Sequence, residues 1–193
     1  MNNKIIGFFA ILCSPFLAID LILNGSFNEY NPTSLDGLFS FIYMTGWLLC
    51  IWFLFQIHTA ANKKVKTAFI IQIVFLCLAE IWNIWSVIEP KSDHFIFRTL
   101  DLFWPVSNCF MFVTGLAIVL AKRINGWQRY APLVVGLWFP TGVLAIIAFA
   151  KTSTASYFIC AYSTIAWSLL GLSVYTNNQH TNKNTLLSLT QPA

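Results

Sequence analysis

Long apolar stretches separated by short polar segments run along most of the chain. Each of the six longest stretches has about 20 residues, the length that an α-helix needs to cross a hydrocarbon core about 30 Å thick. Backbone polar groups cannot stay unpaired in lipid, so stretches of this kind are predicted to be helices. The pattern therefore predicts an all-α fold, a polytopic membrane protein with a bundle of six transmembrane helices. The predicted spans cover residues 5–23, 38–58, 67–88, 100–121, 131–150 and 156–175.

The composition supports a membrane protein and excludes other classes. Of the 193 residues, 58% are hydrophobic and only 9% are charged, whereas roughly 25% are charged in an average soluble domain. Residues 1–175 are predicted to form a single six-helix transmembrane domain, and residues 176–193 a short polar cytoplasmic tail, because no polar segment is long enough to fold separately. The formal net charge of +4 is spread over short loops, so no nucleic-acid partner is expected.

Lysine and arginine lie mostly on one side of the predicted bundle. If the amino terminus is cytoplasmic, the outer loops contain only Lys91, Arg98 and Lys151. This asymmetry follows the positive-inside rule and predicts that the N and C termini are both cytoplasmic. We therefore expect a multi-pass protein of the cell membrane, either a plasma membrane or a bacterial inner membrane, with the lipid bilayer as a partner. The predicted inner segments contain the other basic residues, which are Lys4, Lys63, Lys64, Lys66, Lys122, Arg123, Arg129 and Lys183.

The cysteines and histidines show no pattern typical of a redox, metal or haem site. The five cysteines lie in five different predicted helices and form no Cys-x-x-Cys pair, so their favoured interpretation is core packing. No histidine pair suits haem, and zinc, phosphate-loop and nucleophile-elbow motifs are absent from the sequence. The sequence therefore predicts no metal and no cofactor. It leaves enzymatic activity open while favouring a non-enzymatic role.

Three carboxylates inside the predicted spans carry the most functional information, namely Asp20, Glu80 and Asp101. A carboxylate at membrane depth costs a few kcal/mol on insertion scales, so it usually faces a partner, water or a cavity. Glu80 lies deepest, whereas Asp101 lies just inside the outer end of its helix. Glu80 is therefore the predicted centre of a ligand or proton site, and Asp101 is a candidate for its lining.

Helical periodicity places two asparagines on the same faces as these carboxylates. At about 100° per residue, Asn83 shares an arc with Glu80, and Asn108 shares one with Asp101. Both asparagines are candidates for the lining of the site. Polar stripes also join membrane helices through hydrogen bonds, at around 0.6 kcal/mol each, and for each asparagine alone this structural interpretation is favoured.

Tryptophans complete the predicted site. Trp82, Trp104 and Trp138 lie deeper than an interfacial belt or beside the polar faces, where they would line an aromatic pocket for an organic cation. Ordinary core packing is the alternative for each of them.

Prolines inside the spans predict irregular helices around the buried carboxylates. Pro15, Pro105 and Pro140 each remove one backbone hydrogen bond from a span. Kinked helices around a buried carboxyl group would line a pocket that opens to the outside.

The sequence supports three functional hypotheses. The first is binding or transport of a small molecule through an outward-facing pocket around Glu80, with Glu80 as a proton carrier. The second is a non-catalytic membrane scaffold or assembly partner, in which the polar faces only join helices. The third is an intramembrane enzyme that acts on a lipid-like substrate, with Glu80 and Asp101 as acid and base. The chain has no Gly-x-x-x-Gly motif, and its oligomeric state stays open.

Overall fold

Helices account for all the regular structure in a computed structural model of the protein, which describes residues 2–23, 33–58, 63–150 and 152–177. The all-α prediction is confirmed for these residues. The elements are α1 (Asn3–Cys13), α2 (Phe16–Leu23), α3 (Ser34–His58), α4 (Lys63–Ile88), α5 (Phe95–Asp101), α6 (Phe103–Ala121), a 3₁₀ helix (Gly126–Tyr130), α7 (Ala131–Gly136), α8 (Trp138–Phe149) and α9 (Ser153–Tyr175).

Five segments within the described residues are long and apolar enough to cross a membrane. They are Asn3–Leu23, Ser34–His58, Lys63–Ile88, Phe95–Ala121 and Ser153–Tyr175. The remaining predicted span, 131–150, falls in a bent pair in which Gly126–Gly136 and Trp138–Phe149 meet at 53°. The count reaches six when this pair is taken as one span. Of the predicted polar tail, residues 178–193 lie outside the described part of the chain.

Several helices begin earlier than the apolar pattern predicts, and α3 and α4 show this clearly. α3 begins at Ser34 rather than at residue 38, and α4 begins at Lys63 rather than at residue 67. Hydropathy marks where the chain enters hydrocarbon, whereas the helix itself extends through the polar interface to its cap. At the start of α3 the Asp36 carboxylate accepts hydrogen bonds from the Thr33 backbone N–H at 2.6 Å and from the Thr33 hydroxyl at 2.9 Å.

The three prolines inside the predicted spans all lie close to helix breaks. Pro15 separates α1 from α2, whereas Pro105 and Pro140 are the third residues of α6 and α8. A proline in the first turn of a helix lacks a donor that would have no intrahelical acceptor anyway, so a new helix starts there at little cost. The 53° bend before α8 falls at Leu137, three residues ahead of Pro140.

The first and last spans of the described chain lie side by side and run antiparallel. Asn3 Nδ2 on α1 donates a hydrogen bond to the backbone oxygen of Asn177, just after α9, at 2.6 Å. One α1 glycine, Gly7, faces Gly171 of α9 so closely that an added Cβ on Gly7 would lie 2.6 Å from the Gly171 oxygen. The two backbones are therefore in direct contact along this seam.

The central helix is α3, which packs against α1, α2, α4 and α9. Its approach to α4 depends on Gly37, where an added Cβ would lie 2.7 Å from the Val87 nitrogen and 2.9 Å from the Asn83 oxygen. Because α3 and α4 are antiparallel, the bundle has two ends. We call them the His58 end, where α3 stops, and the Ile88 end, where α4 stops.

Large apolar side chains cover the outside of the bundle at both ends and along its middle, among them Ile5, Leu120 and Ile147. Soluble monomers rarely expose contiguous apolar surface on this scale. The surface therefore suits lipid and, together with the length of the helices, is typical of a membrane protein.

Candidate functional site

The carboxyl group of Glu80 is buried between α3 and α4, with 7% of the residue exposed. Its Oε1 accepts a hydrogen bond from the Thr45 hydroxyl of α3 at 2.9 Å, and its Oε2 accepts one from Asn83 Nδ2 at 2.8 Å. Asn83 follows Glu80 by three positions, so both side chains lie on one face of α4. The close contact at Gly37 brings this face against α3. The structure thus brings together two of the predicted site residues.

The donors described at Glu80 are neutral groups. Asn83 Nδ2 also lies 3.2 Å from Met44 Sδ on α3, which ties the amide to both helices. Such hydrogen bonds offset part of the cost of burying a carboxyl group. They hold Glu80 in a fixed position, from which its charge can act on neighbouring groups through a medium of low dielectric constant.

Tyr43 lies on α3, the same helix from which Thr45 donates to the Glu80 carboxyl group. Trp104 Nε1 on α6 donates a hydrogen bond to the Tyr43 hydroxyl. The helices that carry Glu80 and Asp20, α4 and α2, both pack against α3. Tyr43 therefore joins α6 to the helix around which both buried acids are arranged.

Tyr43 belongs to an aromatic cluster, which we define as Tyr43, Trp47, Trp104, Trp138 and Trp167. The Trp167 ring lies 5.9 Å from the Tyr43 ring and 5.3 Å from the Trp47 ring, measured between centroids. The Trp138 ring lies 6.1 Å from that of Trp167 and 5.3 Å from that of Trp104. All four pairs meet edge to face, which is a favoured aromatic geometry. The cluster joins α3, α6, α8 and α9.

Three indole N–H groups of the cluster have no described hydrogen-bond acceptor. The Nε1 atoms of Trp47, Trp138 and Trp167 are buried, and the described residues offer none of them an acceptor. A buried indole N–H usually has a partner. Three buried donors of the cluster thus lack the acceptor that such groups usually have.

A cavity of about 170 Å³ lies beside the aromatic cluster on the Ile88 half of the bundle. It is comparable in size with the engineered cavity of about 150 Å³ that binds benzene in another protein. Phe139 and Val143 in its wall are exposed, so the cavity reaches the apolar surface of the bundle. Its lining consists of Leu17, Leu21, Trp104, Trp138, Phe139, Gly142, Val143, Ile146 and Ile159.

Asp20 is a buried neighbour of two lining residues and is not itself part of the lining. It lies on α2 between Leu17 and Leu21, which both line the cavity, and Asp20 itself is 8% exposed. Helical geometry places Asp20 about 60° from Leu17 around the α2 axis. A buried carboxyl group thus lies on one of the helices that form the cavity wall.

The structure places the other predicted site residues away from this cavity or against their own helix. The Trp82 ring packs 5.5 Å from that of Phe97, between α4 and α5. Asp101 is exposed at the last residue of α5. Asn108 is buried, and its Nδ2 donates to the backbone oxygen of Trp104 in the preceding turn at 2.9 Å.

Sequence reasoning did not place Tyr43 or Thr45 in the site, although both contact predicted residues. They lie in a span that is apolar on every side, so periodicity does not indicate which face is buried. The sequence does mark Thr45 as a candidate, because it is a polar residue in the middle of an apolar run.

Among the residues that the structure describes, no group of three or more His, Cys, Asp or Glu side chains could hold a metal ion. Comparison of the chain with protein-family models, with curated proteins and with solved structures finds no match. The function is therefore inferred from the geometry of this chain alone.

Proposed function

We propose that the protein is a multi-pass protein of the cell membrane that binds a small organic cation, and carries it across the bilayer, through the cavity beside the aromatic cluster. In this proposal the chain has six spans, with the bent α7–α8 pair as the fifth. Both termini are cytoplasmic, so the Ile88 end faces outward. The site combines the predicted residues Glu80, Asn83, Trp104 and Trp138 with Asp20 and Tyr43.

The observation that carries the proposal is the cavity walled by Trp104 and Trp138, with the buried Asp20 on the helix that contributes Leu17 and Leu21 to the lining. The two indoles meet at 76° and form a corner, as two walls of an aromatic cage do. Such cages recognise methylated ammonium groups through cation–π attraction, which contributes about 0.5 to 2 kcal/mol per aromatic group. The Asp20 carboxyl group on a lining helix adds charge attraction through a medium of low dielectric constant.

The size and position of the cavity limit the ligand. About 170 Å³ accepts one methylated ammonium head or one small ring. The wall formed by Phe139 and Val143 opens on the apolar surface of the bundle, so an attached alkyl chain can extend toward lipid. These features favour an amphipathic amine over a sugar or an inorganic ion.

Glu80 has a separate role in this proposal. The hydrogen bonds that it accepts from Thr45 and Asn83 hold it between α3 and α4. A carboxylic acid at this depth can exchange a proton while the cation enters or leaves, which would couple the two movements.

The first experiment compares choline with its neutral isostere 3,3-dimethylbutanol. Isothermal titration calorimetry is carried out on the full chain in nanodiscs of phosphatidylethanolamine and phosphatidylglycerol, which carry no choline head groups. We expect choline to bind at least tenfold more tightly than the isostere. Trp138→Leu should weaken choline binding roughly 2- to 30-fold. The matched control is Trp127→Leu, which changes an exposed tryptophan of the 3₁₀ helix and should leave choline binding unchanged.

Equal affinities for choline and its isostere, or equal effects of the two tryptophan substitutions, would overturn the proposal. Transport is tested separately by uptake of labelled choline into proteoliposomes under an imposed proton gradient. We expect Glu80→Gln to abolish gradient-driven uptake. Uptake by the Glu80→Gln variant at the unsubstituted rate would remove Glu80 from the coupling.

The scaffold hypothesis is the second candidate, because both oxygens of Glu80 accept hydrogen bonds that join α3 to α4. In that case neither choline nor its isostere binds, and Glu80 substitutions affect only stability. The enzyme hypothesis gains no support, since Asp101 is exposed at the end of α5 while Glu80 is buried between α3 and α4.

A further inference from the structure

A second concave site lies at the opposite end of the bundle from the aromatic cluster. It is a groove of about 500 Å³ between α4 and α6 at the His58 end. This volume falls within the range of about 300 to 1,000 Å³ that is typical of small-molecule sites. The groove is lined by Lys64, Val65, Ala68, Val113, Ala117, Leu120, Ala121 and Arg123.

The groove has two chemically different parts. Its mouth holds two cationic side chains, Lys64 and Arg123, which both belong to exposed residues. Its wall is apolar throughout, and the small side chains of Ala68, Ala117 and Ala121 create the depression between the two helices. A ligand that fills both parts must be amphipathic, with an anionic head and an apolar body.

Lys64 and Arg123 lie at the same position along the axis of the bundle. Lys64 is the second residue of α4, and Arg123 follows the end of α6 at Ala121 by two positions. Because α4 and α6 run antiparallel, the start of one helix lies beside the end of the other. The apolar wall then extends from this level toward the middle of the spans, as an acyl chain extends from a phosphate group.

We propose that the groove between α4 and α6 binds one anionic phospholipid, with its phosphate between Lys64 and Arg123 and an acyl chain along Val65, Ala68 and Ala117. Basic pockets between transmembrane helices favour anionic head groups in this way, with about a fivefold gain in affinity per basic residue near the surface. A zwitterionic lipid also has a phosphate, but its ammonium group offsets the attraction. A free phosphate would leave the apolar wall without contact.

The experiment counts retained lipid by native mass spectrometry of the full chain in detergent. The protein is exchanged with equimolar phosphatidylglycerol and phosphatidylethanolamine that have identical acyl chains. We expect the protein to retain one phosphatidylglycerol in preference to phosphatidylethanolamine. The double variant Lys64→Gln/Arg123→Gln should lower the retention of phosphatidylglycerol on the order of tenfold. The matched control is Lys63→Gln/Lys66→Gln, which removes two exposed charges from the same end of α4 outside the groove lining and should retain the lipid.

A second variant and a soluble competitor separate the remaining explanations. Ala117→Leu fills the apolar wall without changing charge, and it should lower phosphatidylglycerol retention several-fold. Glycerol phosphate, which has the head group without the chains, should not displace the lipid. Equal loss in both double variants would show general surface attraction instead of a site, and displacement by glycerol phosphate would show a free-phosphate site. Either result, or equal retention of the two lipids, overturns the proposal.

Discussion

The indole N–H of Trp104 donates a hydrogen bond to the hydroxyl of Tyr43, and this bond joins α6 to the central helix α3. Both partners belong to the aromatic cluster, and Trp104 also forms a wall of the cavity. The position of that wall thus depends on a side chain of α3, the helix from which Thr45 donates to the Glu80 carboxyl group. The cavity wall and the buried Glu80 therefore share α3 as a support.

Removing the Tyr43 hydroxyl should loosen this wall. Tyr43→Phe leaves the half-buried Trp104 indole without its acceptor, and loss of such a hydrogen bond costs about 0.5 to 1.5 kcal/mol of stability. We expect a matching fall in the free energy of unfolding, measured by denaturant titration in detergent, and weaker choline binding. Tyr157→Phe is the control, because Tyr157 is 64% exposed on α9. Equal results for the two variants would contradict the structural role of the bond.

Two substitutions of Glu80 should separate its hydrogen bonds from its charge. Glu80→Leu leaves the Thr45 hydroxyl without this acceptor and Asn83 Nδ2 with only Met44 Sδ, and we expect a loss of about 1 to 3 kcal/mol in unfolding free energy. Glu80→Gln keeps an acceptor oxygen and removes the buried charge, so we expect stability to stay within about 1 kcal/mol of the original. The same pair of changes at exposed Glu89 should each alter stability by less than about 0.5 kcal/mol. Equal losses of unfolding free energy in the two Glu80 variants would contradict a stabilising role for these hydrogen bonds.

Two glycines should respond in opposite directions to the same added methyl group. In Gly37→Ala the new carbon would lie 2.7 Å from the Val87 nitrogen, so α3 and α4 must separate, at a cost of about 1 to 3 kcal/mol. In Gly142→Ala the nearest atom, on Ile159, is 3.8 Å away, and the helix gains about 0.4 to 1 kcal/mol from reduced backbone freedom in the unfolded chain. Thermal unfolding in detergent compares the two. Equal shifts would mean that the α3–α4 approach is not close.

The orientation of the chain can be tested by accessibility of single cysteines. In a background with all native cysteines replaced by alanine, Lys91→Cys should react with a membrane-impermeant maleimide on intact cells. Lys122→Cys should react only after permeabilisation, because the positive-inside rule places it in the cytoplasm. The reverse labelling pattern would invert the predicted topology and place the cavity half of the bundle inward.

Helix positions could be predicted from sequence because the thickness of hydrocarbon sets the length of a span. The pairing of Glu80 with Asn83 could also be predicted from sequence, since residues three apart share a helical face. The contacts of Tyr43 and Thr45 could not be predicted in this way. Their helix is apolar on all sides, so only the packing of α3 at the centre of the bundle determines which residues reach α4 and α6.

The depth of a tryptophan in its span does not predict whether its side chain lines the cavity or packs between helices. Trp82 and Trp104 both lie within apolar spans, yet Trp82 packs on Phe97 while Trp104 reaches Tyr43 and Trp138. The bend at Leu137 decides part of this difference, because it directs α8 and its Trp138 toward α9. A proline in the sequence marks the neighbourhood of such a bend, whereas its angle depends on packing between helices.

The contact between Gly7 and Gly171 has a consequence for biogenesis. Among the described helices, the one that carries Gly7 leaves the ribosome first and its neighbour α9 leaves it last. During synthesis the glycine face of α1 must therefore wait until every intervening helix has been made. This seam can close only when α9 is complete, so a chain interrupted before Ser153 would keep α1 without the surface that it fits.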